Sequence, residues 1–72
     1  MKVKLNSQLK KHRVLAELTQ DELAAKVGVR RETIVHLEAG RYNPSLKLAW
    51  QLAKVLNTGI EEIFWYDEDS ES

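Results

Sequence analysis

The sequence of 72 residues predicts an all-α fold of five short helices in one domain. Apolar residues recur three and four positions apart, as on one face of a helix. Residues that cap helix starts precede several of these segments. Gly28, Gly40 and Asn57 follow three of them, where a residue in the left-handed conformation commonly ends a helix.

The two ends of the chain carry strand patterns instead. Val3 and Leu5 fall on one side of the alternating stretch KVKLN at 2–6. The aromatic stretch FWY at 64–66 also favours a strand. We therefore expect the five helices to be joined by a small two-stranded antiparallel ribbon between the terminal segments.

Capping residues indicate the first two helices. Asn6 or Ser7 can cap the first helix. Thr19 and Glu22 have the spacing of a capping box, in which each side chain accepts a hydrogen bond from the other residue's backbone. The residues that we expect to face inward from these two helices are Leu9, Arg13, Ala16, Leu23, Ala24 and Val27.

Three more helices follow. Only Val29 separates Gly28 from the start of the third helix, so a tight turn joins the second and third helices. Ser45 can cap the fourth helix, and two acidic residues favour a fifth at IEEIF, 60–64. The expected inward residues of the third and fourth helices are Thr33, Ile34, Leu37, Leu46, Ala49, Leu52, Ala53 and Leu56.

Charge is divided unevenly along a chain whose net charge is zero. Residues 1–57 contain all eleven Lys and Arg against five acidic residues, a net charge of +6, whereas residues 58–72 carry −6. A basic face attracts phosphates even when the whole protein is neutral. We expect residues 1–66 to form the domain and the acidic residues 67–72 to form a disordered tail.

Several functional classes are disfavoured by the composition. The chain has no Cys, and its two histidines, His12 and His36, lack close ligand partners, so we expect no metal and no cofactor. A glycine-rich phosphate loop and a catalytic triad are also missing, which argues against an enzyme with a small-molecule substrate. No apolar run approaches the ~20 residues of a membrane span, so we expect a soluble, cytoplasmic protein without a membrane partner.

Two arginines begin the third helix, where the helix dipole disfavours positive charge. Arg30 has no acceptor atom in its side chain and cannot cap the helix. The loss of a good cap costs roughly 1 kcal/mol. A local rule that is broken without compensation often marks a functional site, which directs attention to Arg30 and Arg31.

Residues 9–64 resemble the Cro/C1-type helix-turn-helix domain, also called the XRE family. The matching elements, highly specific as a set, are LTQ and ELA at 18–24, Gly28 in the turn, Thr33 and Ile34, the EAG at 38–40, NPSL at 43–46 and IEEIF at 60–64. The resemblance implies a phage-repressor-like fold and a transcriptional regulator, by default a repressor. It also implies a homodimer that binds palindromic double-stranded DNA, with the helix at 30–38 in the major groove.

The resemblance also implies roles for individual residues. The base-contacting positions are Arg30, Arg31, Glu32, Thr33 and His36. The phosphate-contacting positions are Gln20, Arg41, Tyr42 and Asn43. The dimer-interface candidates are Ile60, Ile63, Phe64 and Trp65, with the core of the single chain as the alternative. The resemblance further implies an internal salt bridge between Arg13 and Glu38.

The chain departs from the family pattern at a few positions. Arg30 replaces the usual capping Ser or Thr, and Ala39 replaces a common Asn. Val14 and Leu15 lie where charged residues are usual, as an exposed partner patch or as part of a locally packed helix. The alternative function is therefore a protein-binding module, of the antitoxin type or an adaptor.

Overall fold

Five α-helices and two β-strands make up the computed structural model, which describes residues 3–68. The elements in chain order are β1 (Val3–Ser7), α1 (Leu9–Leu15), α2 (Gln20–Val27), α3 (Arg31–Glu38), α4 (Leu46–Val55), α5 (Ile60–Ile63) and β2 (Phe64–Glu68). The five helices and the terminal ribbon predicted from the sequence are confirmed.

The terminal ribbon is antiparallel, with Leu5 opposite Tyr66 and Lys4 opposite Asp67. The last pair of the ribbon joins Val3 and Glu68, so β2 continues past the predicted end of the domain at residue 66. β2 therefore includes the first two residues of the predicted tail, whose backbone has a partner strand. The rest of the predicted tail, residues 69–72, lies outside the described residues.

The predicted caps of α2 and α4 are present. Thr19 Oγ1 accepts from the Glu22 backbone N–H at 3.0 Å, and the Thr19 N–H donates to Glu22 Oε1 at 2.8 Å. Ser45 Oγ accepts from the Leu48 N–H at 3.0 Å. At the helix ends, Gly28, Gly40 and Asn57 have φ of 73°, 71° and 54°, the left-handed conformation that the sequence predicts.

The start of α1 differs from the prediction. Gln8 occupies the cap position and makes no capping side-chain bond, because the predicted candidates Asn6 and Ser7 are taken into β1. Ser7 still serves the helix start, since its Oγ accepts from the Leu9 N–H at 3.3 Å. At the other end of α1, Ala16 follows the last helical turn and is exposed rather than inward-facing.

The core lies where the five helices and the start of β2 meet. Its buried side chains are Leu9, Leu23, Ala24, Val27, Ile34, Leu37, Leu48, Ala49, Leu52, Ala53, Ile63 and Phe64. The predicted inward position of Leu46 is wrong, because this residue is 79% exposed. Leu46 occupies the first helical position of α4, at the edge of the apolar stripe, and Leu48 is buried in its place. No helix within residues 3–68 is long and apolar enough to span a membrane.

Candidate nucleic-acid interface

The helices α2 and α3 form a pair joined by a turn of three residues, Gly28, Val29 and Arg30. Gly28 ends α2 in the left-handed conformation, and the Val29 N–H returns to the Ala24 carbonyl at 3.0 Å. Arg30 is extended, at φ −82° and ψ 156°, and forms the cap position of α3. This turn directs the first residues of α3 away from the core.

One face of α3 is exposed from its first turn onward. Ile34 and Leu37 are buried, and Thr33 is half-buried beside them. The exposed side chains on the opposite face are Arg31, Glu32, Val35 and His36, together with Arg30 at the cap. Because residues one turn apart lie above each other on a helix, these side chains form a continuous row about two turns long.

The polar members of this row have no partners within the part of the chain that the structure describes. No side-chain hydrogen bond or ion pair there involves Arg30, Arg31, Glu32 or His36. Arg30 also makes no capping bond. Two guanidinium groups, a carboxylate and an imidazole are thus available at one convex helix face, which is a donor- and acceptor-rich surface of the kind that reads base edges.

An ion pair links the end of α3 to α1. Arg13 Nε lies 2.6 Å from Glu38 Oε2, and Arg13 Nη1 donates to the Leu18 carbonyl at 2.8 Å. The salt bridge implied by the resemblance is therefore present. Gln20 joins it, since its Nε2 donates to Glu38 Oε1 at 3.0 Å. The network links α1, the start of α2 and the end of α3, and it holds the Gln20 amide at the helix-turn-helix surface.

The loop at 41–43 follows α3 and is exposed throughout. Two bonds of a Schellman motif set its direction: the Gly40 N–H donates to the Leu37 carbonyl at 3.2 Å, and the Arg41 N–H to the His36 carbonyl at 3.0 Å. Asn43 is further held by Tyr66, whose Oη donates to Asn43 Oδ1 at 2.8 Å. The predicted phosphate-contacting residues of this loop thus lie together just beyond the exposed row of α3.

The predicted dimer-interface residues divide into two groups. Ile63 is fully buried and Phe64 nearly so, both in the core of the single chain. Phe64 begins β2 opposite Ser7, on the face of the ribbon that meets the helices. These two residues offer little surface to a second copy, as their apolar side chains already fill the core. Ile60 is half-buried, and Trp65 remains 38% exposed.

Two residues of this region, Val35 and Tyr66, were not predicted from the sequence. Val35 lies in the exposed row of α3, four residues after Arg31, and this helical spacing was available in the sequence. Tyr66 reaches the loop from β2 across a separation of 23 residues, and no local sequence signal reports such a contact.

One pKa shift lies close to this surface, at the start of α2. Hydrogen bonds from the backbone and the side chain of Thr19 lower the pKa of Glu22, because they stabilise the carboxylate form. Glu22 therefore keeps its negative charge at the positive end of the helix dipole. Within residues 3–68, no group of three or more His, Asp or Glu is placed to hold a metal ion.

Fold and site together define a helix-turn-helix domain. Residues 9–63 match the helix-turn-helix family HTH_3, and the chain belongs to this family, in its Cro/C1 (XRE) type. It therefore carries a helix-turn-helix DNA-binding domain, and the resemblance seen in the sequence is confirmed.

Individual relatives agree with this assignment. An uncharacterized HTH-type transcriptional regulator from Archaeoglobus fulgidus is 55% identical over 65 residues, which cover 90% of this chain and 92% of the relative. Among solved structures, the restriction-modification controller protein C.AhdI from Aeromonas hydrophila is 31% identical with a TM-score of 0.69, covering 75% of this chain and 82% of its own. The transcriptional regulator VanUg, at 18% identity and a TM-score of 0.75, shares the fold over 96% of this chain and 92% of its own.

Proposed function

We propose that this protein is a transcriptional repressor that binds a palindromic double-stranded DNA operator as a homodimer, with α3 in the major groove. The observation that carries the proposal is the exposed row on α3, whose charged side chains have no partners among residues 3–68. An α-helix fits the width of the major groove, where each base pair presents a distinct pattern of donors and acceptors. The local cost of Arg30 and Arg31 at the helix start is offset when phosphates or base edges approach.

The chemistry of the row suggests which bases it reads. An arginine fork can donate two hydrogen bonds to O6 and N7 of guanine, so Arg30 and Arg31 are suited to G·C pairs. Glu32 can accept from the amino group of cytosine, or it can orient Arg31. Thr33 and His36 complete the proposed base contacts, and the exposed methyl groups of Val35 are suited to the methyl group of thymine.

Phosphate contacts would flank the row on both sides. Gln20 lies at the start of α2, where a helix N-terminus favours anions, and its amide is held by Glu38. Arg41, Tyr42 and Asn43 lie in the exposed loop after α3. Such contacts fix the register and orientation of a protein on DNA but carry no sequence information themselves.

A homodimer is part of the proposal because one short helix reads only a few base pairs. Two copies related by a two-fold axis match a palindrome whose half-sites are about 34 Å apart. Of the interface candidates, Trp65 and Ile60 retain exposed surface, and exposed aromatic side chains are enriched at interfaces. C.AhdI, the structural relative above, is a controller protein of a restriction-modification system.

Repression is the simplest outcome for a domain of this size, since blocking a promoter requires only occupancy of the DNA. Relatives of the chain come from archaea and bacteria, whose DNA lies in the cytoplasm, so the proposal places the protein there.

One observation favours a second function, a protein-binding role of the antitoxin or adaptor kind. Val14 and Leu15 are neighbours at the end of α1 and are 55% and 70% exposed, which makes them an apolar patch at a position where the family usually has charge. A patch of this kind is suited to a protein partner. Such a role is compatible with DNA binding, because the patch and the α3 row belong to different helices.

The experiment is a selection from a pool of random duplexes with the purified wild-type protein and, in parallel, with Val14→Asp. The proposal predicts that both proteins enrich the same palindrome, with half-sites about one helical turn apart. If no sequence is enriched and binding disappears by physiological salt, the basic surface is only weakly electrostatic and the proposal is wrong. If only Val14→Asp fails, the patch on α1 takes part in DNA binding or assembly.

A further inference from the structure

The terminal ribbon of β1 and β2 contacts the loop that follows α3. Tyr66 in β2 donates its hydroxyl proton to Asn43 Oδ1 at 2.8 Å. Leu5, the cross-strand neighbour of Tyr66, lies close to the residue that precedes this loop. A Cβ atom placed on Gly40 would be 3.5 Å from the Leu5 carbonyl oxygen, an ordinary van der Waals distance. The ribbon therefore approaches both Gly40, the left-handed residue just past the cap of α3, and Asn43, the last residue before Pro44.

Packing does not account for the position of the Tyr66 side chain. It is 51% exposed and belongs to no part of the buried core. A second side-chain hydrogen bond, this one between the two strands, joins Asn6 Nδ2 to Asp67 Oδ2 at 2.6 Å. Because successive residues of a strand point to opposite faces, this second bond lies on the face away from the loop. Among residues 3–68, the side-chain hydrogen bond that joins the ribbon to the loop at 41–43 is the one from Tyr66.

The chemistry of the amide gives this bond a direction. An asparagine side chain has one carbonyl oxygen, which accepts, and one NH2 group, which donates two protons. Phosphate oxygens without bound protons only accept. With the carbonyl oxygen of Asn43 oriented towards the Tyr66 hydroxyl, the NH2 group lies on the other branch of the amide and can donate to an acceptor such as a phosphate oxygen.

We propose that Tyr66 is a positioning residue for DNA binding, which orients Asn43 so that its NH2 group donates to a DNA phosphate. The inference rests on the proposed function, and it adds a role for the C-terminal strand. Formation of the ribbon then completes the phosphate-binding loop, and β2 contributes to DNA affinity through Asn43.

The test is a double-mutant cycle with Tyr66→Phe and Asn43→Ala, measured as DNA affinity on the selected operator and on an unrelated duplex. Each single change should weaken binding about 3- to 10-fold, the usual range for loss of one hydrogen bond. The loss should be the same on both duplexes, because a phosphate contact is read on any sequence. In the Asn43→Ala background, Tyr66→Phe should cause no further loss.

The matched control is Asn6→Ala, which removes the hydrogen bond on the opposite face of the same ribbon. Thermal unfolding of each variant gives the folded fraction, to which each affinity is normalised. Asn6→Ala should then bind DNA as the wild type does, whereas Tyr66→Phe should not. In the free protein, Tyr66→Phe should also shift the side-chain NH2 resonances of Asn43 in an NMR spectrum.

The outcomes separate the two proposals. If the wild type binds neither duplex, the proposed DNA-binding function fails and this inference fails with it. If the wild type binds but Tyr66→Phe binds equally well, only the inference is overturned. A loss from Tyr66→Phe that persists in the Asn43→Ala background overturns it too, since the hydroxyl would then act through another contact.

Discussion

Arg13 in α1 and Glu38 at the end of α3 form an ion pair with a separation of 2.6 Å between Nε and Oε2. Both side chains are largely shielded, at 12% and 7% exposure. The same carboxylate accepts from Gln20, so a single acidic group joins three helices around the proposed DNA-binding surface. The position of α3 relative to α2 thus depends on a polar contact as well as on the core.

Replacing Glu38 should be costly for the fold. In Glu38→Ala the shielded guanidinium of Arg13 loses its partner, and the free energy of unfolding should fall by about 3 kcal/mol. Urea denaturation measures this change. Glu32→Ala, in the exposed first turn of the same helix, is the control and should cost less than about 1 kcal/mol. Equal losses from the two variants would show that the ion pair does not stabilise the fold.

Acid should weaken the start of α2 through Glu22. The pKa of Glu22 is lowered in the folded state by hydrogen bonds from the Thr19 backbone and side chain. Its contribution to stability is therefore complete above the unfolded-state pKa and is lost as the pH falls through the lower, folded-state pKa. Glu22→Gln keeps an acceptor for the capping box but does not titrate.

The Tm of Glu22→Gln should thus fall less steeply than that of the wild type below about pH 4. Thermal unfolding followed by circular dichroism across the acid range makes the comparison. Parallel curves for the two proteins would mean that Glu22 does not contribute to acid sensitivity.

The two tryptophans offer a matched test of the dimer. Both are exposed, Trp50 on α4 and Trp65 on β2, but only Trp65 belongs to the proposed interface. Sedimentation equilibrium of the wild type at micromolar concentration should give twice the 8.3 kDa mass of the chain. Trp65→Ala should shift the protein towards the monomer, whereas Trp50→Ala should not. A wild type that sediments only at the mass of one chain would exclude the dimer under these conditions.

Through Val35, the DNA affinity of the protein should depend on a single methyl group of the operator. If the Val35 side chain packs on a thymine methyl, replacing that thymine by uracil in the operator should weaken wild-type binding up to about 5-fold, the value of one buried methyl group. Val35→Ala should be weaker on the thymine operator and should no longer distinguish the two bases. A thymine-to-uracil effect of the same size in both proteins would remove Val35 from the proposed base contacts.

Local chemistry explains which parts of the fold could be predicted from the sequence. The capping box of Thr19 and Glu22, the Ser45 cap and the left-handed Gly28 depend on residues a few positions apart, and all are present. Burial of single apolar residues was less predictable. Leu46 lies three residues before the buried Ala49 and Leu48 lies four before the buried Leu52, so both fit the helical spacing and spacing alone does not decide which of them faces inward.

At the candidate site, the features that could not be predicted from the sequence depend on contacts between residues far apart in the chain. A pattern of apolar residues near the end of the sequence does not distinguish a core residue from an interface residue. Ile63 was therefore predicted at the dimer interface although the single chain buries it. The link from Tyr66 to Asn43 depends on how the ribbon is seated on the loop, which no short stretch of sequence encodes. The roles of the α3 residues on DNA stay predictions.

A panel of operators shows whether Arg31 reads a base. Each base pair of the selected operator is changed in turn, and the affinities of wild type and Arg31→Ala are compared, with circular dichroism to verify the fold. Arg31→Ala should bind about 5- to 150-fold more weakly and should lose discrimination at one G·C pair, at symmetric places in both half-sites. If Arg31→Ala keeps the wild-type preference at every position, α3 does not read DNA through this residue and the account is contradicted.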